Sequence, residues 1–295
     1  MTLKVITKTS LPLKKFSEGK VRDTYLLDKD LLMVCTDRLS AFDVVFSQGI
    51  PYKGIVLNQL SIFWFSFLKG VIKSHYIEAL DLPKSLQNRD ESLELRAMRV
   101  LKATPIQLEC VVRGYLAGSG YKEYLEKKSI CSIELPEGLT LASKLPKPIF
   151  TPSTKAKIGH DQNINSEEAV KLVGEETYYF LEKKSLEIYS KAADYALSKG
   201  IILADTKFEF GYHEDEIILI DEVLTPDSSR YWSVSSYKEG ISPPSYDKQY
   251  VRDYLESIKW DKKPPAPPLP ENIIKNTSKK YIEAYEKLTQ KKFSW

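Results

Sequence analysis

The chain has 295 residues, with 43 Lys plus Arg against 40 Asp plus Glu and a net charge of +3. A chain of this length buries a substantial core, as one large domain or two intimate ones. The near balance of charge gives no electrostatic basis for binding DNA or a membrane surface, while leaving local sites for small anions open. The longest apolar run, Ile62 to Leu68, stops at Lys69, far short of a bilayer span of about 20 residues. The start, Met1 to Lys8, lacks a signal-peptide core. Cys35, Cys110 and Cys131 are odd in number and widely spaced, and read as reduced thiols of a cytosolic protein. His75, His160 and His213 lack the HExxH spacing of a zinc site, so each reads as structural or surface.

In chain order, Phe16 to Leu27 and Leu31 to Thr36 read as strands flanking a tight turn at Asp28-Lys29-Asp30. Gln59 to Val71 carries the bulky apolar residues of a helix that closes near Gly70. Leu95 to Leu101 and Ile106 to Arg113 are further strands, the second rich in β-branched residues. Ser166-Glu167-Glu168 supplies an N-cap and acidic first turn; Gly174 interrupts that helix, and an amphipathic one then runs from about Glu175 to Lys199 with Gly200 at its C′ position. Leu203 to Gly211 and Ile217 to Glu222 alternate as the strands of a hairpin. Pro264 to Pro270 forbids helix and inner strand and predicts an extended connector. Ile274, Thr277, Tyr281, Tyr285 and Leu288 then recur at helical spacing, giving a final helix packed on the body. Hairpins followed by helices argue for an α+β fold.

The late hairpin concentrates the chemistry. Phe208 and Phe210 share a face with Ala204 and Thr206, and they find apolar partners if Ile218 and Ile220 lie on that side. Asp205, Lys207, Glu209 and Asp221 then share the other face. Two carboxylates about 4 Å apart repel by about 1 kcal/mol in water and about 4 kcal/mol at an effective dielectric of about 20. A cation therefore belongs between Glu209 and Asp221. Magnesium suits, because it takes one or two carboxylates and completes its shell with water and phosphate oxygens; the plainer reading is a solvated face of mixed charge.

Three other stretches carry candidate ligands. Glu18-Gly19-Lys20-Val21-Arg22-Asp23 places Lys20 and Arg22 on one strand face beside a glycine, which suits a polyphosphate without matching GxxxxGK[ST] or GxGxxG. An exposed basic strand is its alternative. Arg113 to Gly120 passes from a strand through glycines into the helical Tyr121 to Leu125, so backbone N–H groups and the Arg113 fork can make an anion site where a plain turn is the other option. Thr225 to Trp232 gathers hydroxyls, Asp227 and Arg230 just past the metal strand, a density that favours binding.

Taken in order, Gly19-Lys20-Val21-Arg22-Asp23, Asp37-Arg38-Leu39-Ser40-Ala41-Phe42-Asp43, Val112 to Ser119, Leu203 to Gly211 and Asp221 to Arg230 resemble the SAICAR synthetase family across nearly the whole chain. The stretches around Arg113 and Asp205 are similar to that family's signature patterns. The resemblance implies an α+β fold with an antiparallel, β-rich N-terminal ATP-binding lobe, like those of kinases and ATP-grasp enzymes, over residues 1–112. An α+β substrate and metal lobe would cover 113–263, and the connector and C-terminal helix 264–295.

The implied activity is an ATP-dependent ligase of de novo purine biosynthesis that joins L-aspartate to carboxyaminoimidazole ribonucleotide (CAIR), releasing SAICAR, ADP and phosphate. The resemblance implies that Gly19, Lys20, Arg22 and Lys155 hold ATP phosphates and that Glu209 and Asp221 position magnesium. Arg113, Ser119, Lys207 and Arg230 would bind the imidazole nucleotide, with Asp205 and Asp227 accepting from its polar groups. Arg38, Ser40 and Asp43 would lie near the aspartate and nucleotide pocket. The adenine would rest on the connection between Val100 and Glu109, where Gln107 replaces a proline common in relatives and Pro105 lacks a donor. Lys207 would stabilise charge, and Asp205 or Asp227 would take the proton of the aspartate amine. Partners are the small molecules ATP, CAIR and L-aspartate, with no nucleic acid or membrane; the enzyme is expected to be cytoplasmic, free-standing, and a monomer or small homo-oligomer.

Two rival classes are weaker. A kinase-like phosphotransferase would share the basic hairpin and late acidic pair, but HRD, DFG and GxGxxG motifs are missing. A silent nucleotide-binding module would be free to lose at least one of Lys20, Asp205, Lys207, Glu209, Asp221 and Arg230, and all stand.

Overall fold

The computed structural model describes residues 4–78, 86, 92–155 and 162–295; His160 and the first three residues lie outside them. Near the start, β1 (Lys15–Glu18), β2 (Arg22–Leu27) and β3 (Asp30–Cys35) form successive antiparallel pairs. The span expected as one strand from Phe16 to Leu27 is thus two strands paired with each other, Glu18 opposite Asp23, and Gly19-Lys20-Val21 is the turn between them, closed by Gly19 N–H to the Arg22 carbonyl at 2.7 Å. Next come the hairpin β4 (Arg38–Ala41) and β5 (Val44–Gly49), α1 (Lys53–Leu68), β6 (Tyr76–Ile77), α2 (Leu93–Arg96) and β7 (Ala97–Val100). The first sheet has the order β1-β2-β3-β7-β6. Alternation in β3 turns Leu32 and Val34 to one side and Leu31, Met33 and Cys35 to the other, where Val56, Leu57, Leu60 and Trp64 of α1 cover them.

Helix α1 begins six residues before the expected Gln59, and its first turn sets Gly54 against the end of β3. A Cβ on Gly54 would lie 2.4 Å from the Cys35 carbonyl oxygen and 2.6 Å from Arg96 Nη1. Behind it Asp37 accepts from Gly54 N–H at 2.8 Å and pairs with the buried Arg96 at 3.2 Å. Gly54→Ala should therefore lower folding stability by about 1–3 kcal/mol, read from urea unfolding; an unchanged midpoint would show that α1 can lift off the strand without loss.

The second sheet is built on one long strand, β14 (Ile201–His213). Before it come β8 (Thr104–Pro105), β9 (Leu108–Tyr115), α3 (Gly118–Lys127), β10 (Ser129–Ile130), β11 (Ile133–Glu134), β12 (Lys144–Phe150), β13 (Ser153–Thr154), α4 (Ser166–Val173) and α5 (Glu175–Ser198). Gly174 separates the last two helices as expected, while the N-cap of α4 is Asn165, in a capping box with Glu168. β14 (Ile201–His213) is followed by β15 (Glu216–Ile220), β16 (Ser229–Ser233), α6 (Gln249–Ser257) and α7 (Glu271–Thr289). Its first half lies between β16 and β9, and its far half pairs with β15 and β8. The boundary expected after Val112 falls inside β9.

One face of this sheet, with Cys110, Val112, Phe208 and Phe210, packs on Leu181, Ile188 and Ala192 of α5. That same core extends to Leu31 of the first sheet and to Tyr281, Tyr285 and Leu288 of α7, so the two sheets close over shared apolar side chains. The connector after Pro264 is fastened too, since the Gln48 side chain bonds both the N–H and the carbonyl of Leu269. The fold is α+β with antiparallel sheets. The three cysteines are free and buried, and burial pushes the Cys35 thiol up to about 12. Buried His75, against Phe65, is held neutral by desolvation, whereas His213 is at the surface with Nδ1 at 2.9 Å from the Lys102 carbonyl.

Candidate active site

The sheet face opposite α5 carries the charge. Its centre is Asp205, whose cross-strand neighbours are Arg113 on β9 and Arg230 on β16. Asp205 Oδ2 lies 2.5 Å from Arg230 Nη1 and 3.3 Å from Arg113 Nη1. Arg113 also donates to Ser119 Oγ and Thr151 Oγ1, each at 3.0 Å. Two guanidinium groups, Arg113 buried and Arg230 partly exposed, therefore share one carboxylate at the start of α3, a local excess of positive charge suited to an anion. Glycines make the room: a Cβ on Gly118, whose φ is +57°, would meet Arg230 Nη2 at 2.3 Å, and one on Gly120 would meet Arg113 at 3.0 Å. The stretch expected as an anion site thus has its arginine, serine and helix start together.

Two and four residues along β14, Lys207 and Glu209 follow Asp205 on the same face. Lys207 Nζ is 2.5 Å from Glu109 and 3.3 Å from Glu209, and Lys155 bonds the other oxygen of Glu209. Burial alone would raise Glu209, but Lys207 and Lys155 hold it down to about 2. Glu109, expected at the end of the adenine connection, lies within β9 and bonds Lys207.

The hairpin register differs from the expected one. Leu219 faces Phe210, and Ile218 and Ile220 stand opposite Gly211 and Glu209. Continued regularly, the strand would set Asp221 opposite Phe208, on the core side. Asp221 instead takes a left-handed φ of 64° directly after β15, which turns the chain out of the ladder. Its two oxygens receive Arg22 Nη2 at 2.6 and 2.5 Å, and Arg22 Nη1 lies 2.9 Å from Glu222. Burial pushes the Asp221 carboxyl up, with Glu209 and Glu222 adding to it against Arg22. Each member of the expected metal pair thus has side-chain cations as its partners. Among the described residues no group of three or more His, Cys, Asp or Glu is poised to hold a metal. An all-oxygen pair of carboxylates nevertheless matches what magnesium takes from a protein when phosphates and water fill its other positions.

Arg38, expected near the aspartate and nucleotide pocket, lies behind the Gly19-Lys20 turn. It is buried, with Nη2 on Asp23 Oδ1 at 2.7 Å and on the Gly19 carbonyl at 2.9 Å, Nε on the Lys20 carbonyl at 3.1 Å, and Nη1 on the Thr7 carbonyl at 2.9 Å. Its donors hold the Gly19-Lys20 turn from behind. Ser40 is buried in β4, and Asp43 at the exposed end of that hairpin bonds Lys20 Nζ.

Asp227 sits in the loop before β16. Its Oδ2 accepts from Lys53 Nζ at 2.7 Å and its Oδ1 from the Tyr281 hydroxyl at 2.6 Å. Against the effect of burial, Lys53, Lys248 and these bonds keep it far below the usual carboxylate range. Lys53, Lys248 and Arg252 escaped the sequence reading, and Tyr281 entered it only as a packing residue of the final helix. Burial brings Lys248 down to about 8, and Arg252 has a buried Nε with no hydrogen-bond partner among the described residues. The signal of Lys248 and Arg252 in the sequence is faint: two cations four apart, one just before and one within the short helix α6.

A family model described as SAICAR synthetase matches residues 15–267. A phosphoribosylaminoimidazole-succinocarboxamide synthase of Thermodesulfovibrio yellowstonii is 54% identical over 288 residues, covering 97% of this chain and 99% of that protein. One of Geobacter sp. strain M21 is 52% identical, over 99% of each chain. Among solved structures, the SAICAR-synthase of Saccharomyces cerevisiae complexed with SAICAR superposes with a TM-score of 0.89 at 46% identity, covering 98% of this chain and 100% of that one. A SAICAR synthetase in complex with ADP superposes with a TM-score of 0.70 at 28% identity, covering 95% and 99%.

Proposed function

The chain belongs to the SAICAR synthetase family, and from that premise we propose how its residues divide the ATP-dependent ligation of L-aspartate to CAIR in purine biosynthesis. The observation that supports the division is the single face of β14, where Asp205, Lys207 and Glu209 follow one another between an arginine-rich end and a lysine-rich end.

At the first end, Arg113, Arg230, Ser119 and the start of α3 take the nucleotide phosphate, with Lys248 and Arg252 adding positive charge. At the other, Gly19, Lys20, Arg22 and Lys155 take the phosphates of ATP. Glu209 and Asp221 would hold magnesium, which when bound would neutralise charge on the transferring phosphoryl group. Lys207 lies between the two ends and offsets negative charge where CAIR's carboxylate meets the γ-phosphate, and Glu109 orients it.

A carboxylate accepts an amine only after one oxygen becomes a leaving group. Its oxygen attacks the γ-phosphorus and ADP departs; the aspartate amine then attacks the carboxyl carbon, phosphate departs and the amine gives up a proton. Asp205, occupied by two guanidinium groups, and Asp227, occupied by Lys53 and Tyr281, are poor acceptors for that proton. We assign both to binding and orienting the nucleotide. No described helix is long and apolar enough to cross a membrane, and we place the enzyme in the cytoplasm as a monomer or small homo-oligomer acting on small molecules.

Phosphate release from ATP, measured with magnesium, CAIR and L-aspartate and with each omitted in turn, tests this function. Release should require every component and yield a product of the mass of SAICAR. ATP turnover indifferent to aspartate or CAIR would mean that the acceptor assignment is wrong.

A further inference from the structure

Asp227 is fixed by residues far from it in sequence, one at the first turn of α1 and one in the middle of the C-terminal helix. Lys53 and Tyr281 are both fully buried, and the Asp227 side chain is 3% exposed. The Lys53 ammonium also lies 5.9 Å over the Tyr281 ring, so the three groups form one closed cluster. A buried ion pair is weak evidence for stability, because an apolar set of the same volume often serves as well. Here the pair lies under a loop that is tied directly to the central strand: the Ser228 carbonyl accepts from Lys207 N–H at 3.0 Å, Ser229 Oγ is 2.8 Å from Thr206 Oγ1, and Arg230 reaches Asp205 on the charged face. Each Asp227 oxygen keeps a second lone pair beyond the one used by Lys53 or Tyr281. α7 itself lies past residue 267, C-terminal to the matched family region.

We propose that Lys53 and Tyr281 are positioning residues of the active site, fixing both oxygens of Asp227 so that the loop presents Asp227 and Arg230 to the imidazole nucleotide. The C-terminal helix thereby completes the nucleotide site and does more than brace the core. The inference rests on Asp227 being a nucleotide ligand, and the experiment separates the two.

Steady-state kinetics would compare the parent enzyme, Tyr281→Phe, Asp227→Asn and the double variant, with thermal unfolding of each. Tyr281→Phe keeps the ring in place, whereas removing Lys53 would strand a buried carboxylate. Loss of a hydrogen bond to a charged group should raise the KM for CAIR by about tenfold in Tyr281→Phe, with the KM for ATP unchanged. Asp227→Asn should raise it at least as far, and Tyr281→Phe should add nothing on that background, because the hydroxyl acts through the carboxylate. Parental kinetics in Tyr281→Phe, a lowered unfolding temperature with all KM values parental, or full additivity in the double variant would overturn the positioning role. A parental KM for CAIR in Asp227→Asn would instead overturn the reading of Asp227 as a ligand, and the inference with it.

Discussion

Asp221→Asn should lower kcat by about 10²–10³, the range for removing one preorganised electrostatic contact to a transition state, and raise the magnesium concentration needed for half-maximal rate. The KM for CAIR should stay near the parent's, because the arginines that take the nucleotide phosphate pair with Asp205, away from Asp221. The substitution keeps side-chain size and leaves Arg22 its pairing with Glu222, so near-UV circular dichroism should match the parent's. Phosphate release against magnesium and CAIR concentration reads all of these. Unchanged kcat and magnesium dependence would take Asp221 out of the metal site.

Arg38→Met should destabilise the fold by about 3–5 kcal/mol, the cost of leaving a buried charge without its partner, here Asp23, which is 1% exposed. It should also raise the KM for ATP by about tenfold or more, since the charge-assisted bonds to the Gly19 and Lys20 carbonyls are lost together. Urea unfolding and initial rates at varied ATP check the two effects. A raised KM for aspartate or CAIR with the KM for ATP unmoved would restore Arg38 to the substrate pocket that the sequence suggested.

Arg38 shows what a sequence leaves open. Its motif marks the residue, but whether a guanidinium faces a ligand or the back of a turn depends on packing between strands 19 residues apart. The late hairpin was legible because alternation gives the face of Asp205, Lys207 and Glu209 directly. Its register was not. A one-residue slip exchanges the faces of Ile218, Leu219 and Ile220, all three apolar, so composition cannot choose between pairings. The left-handed turn at Asp221, which returns that carboxylate to the charged side, is likewise invisible in a residue type only mildly tolerant of positive φ. Glycines at 118 and 120 were visible, but the reason for them was not, since it is the bulk of Arg113 and Arg230 that needs the space. The pairing of Lys53 and Tyr281 with Asp227 carried no local signal, because they meet it across 174 and 54 residues.

The long central strand acts as a ruler. Asp205, Lys207 and Glu209 are successive outward positions of β14, separated by roughly 6.6 Å each at about 3.3 Å per residue, so the nucleotide-phosphate end and the ATP end of the site are held roughly 13 Å apart by an inextensible backbone. Each half of the strand is clamped by different neighbours, β9 and β16 at one end and β15 at the other. A single residue inserted between Asp205 and Glu209 would therefore change the gauge of the site and carry one charged end onto the apolar side over α5. Natural variation in this family should tolerate exchanges of side chain along β14 far more readily than any change in its length.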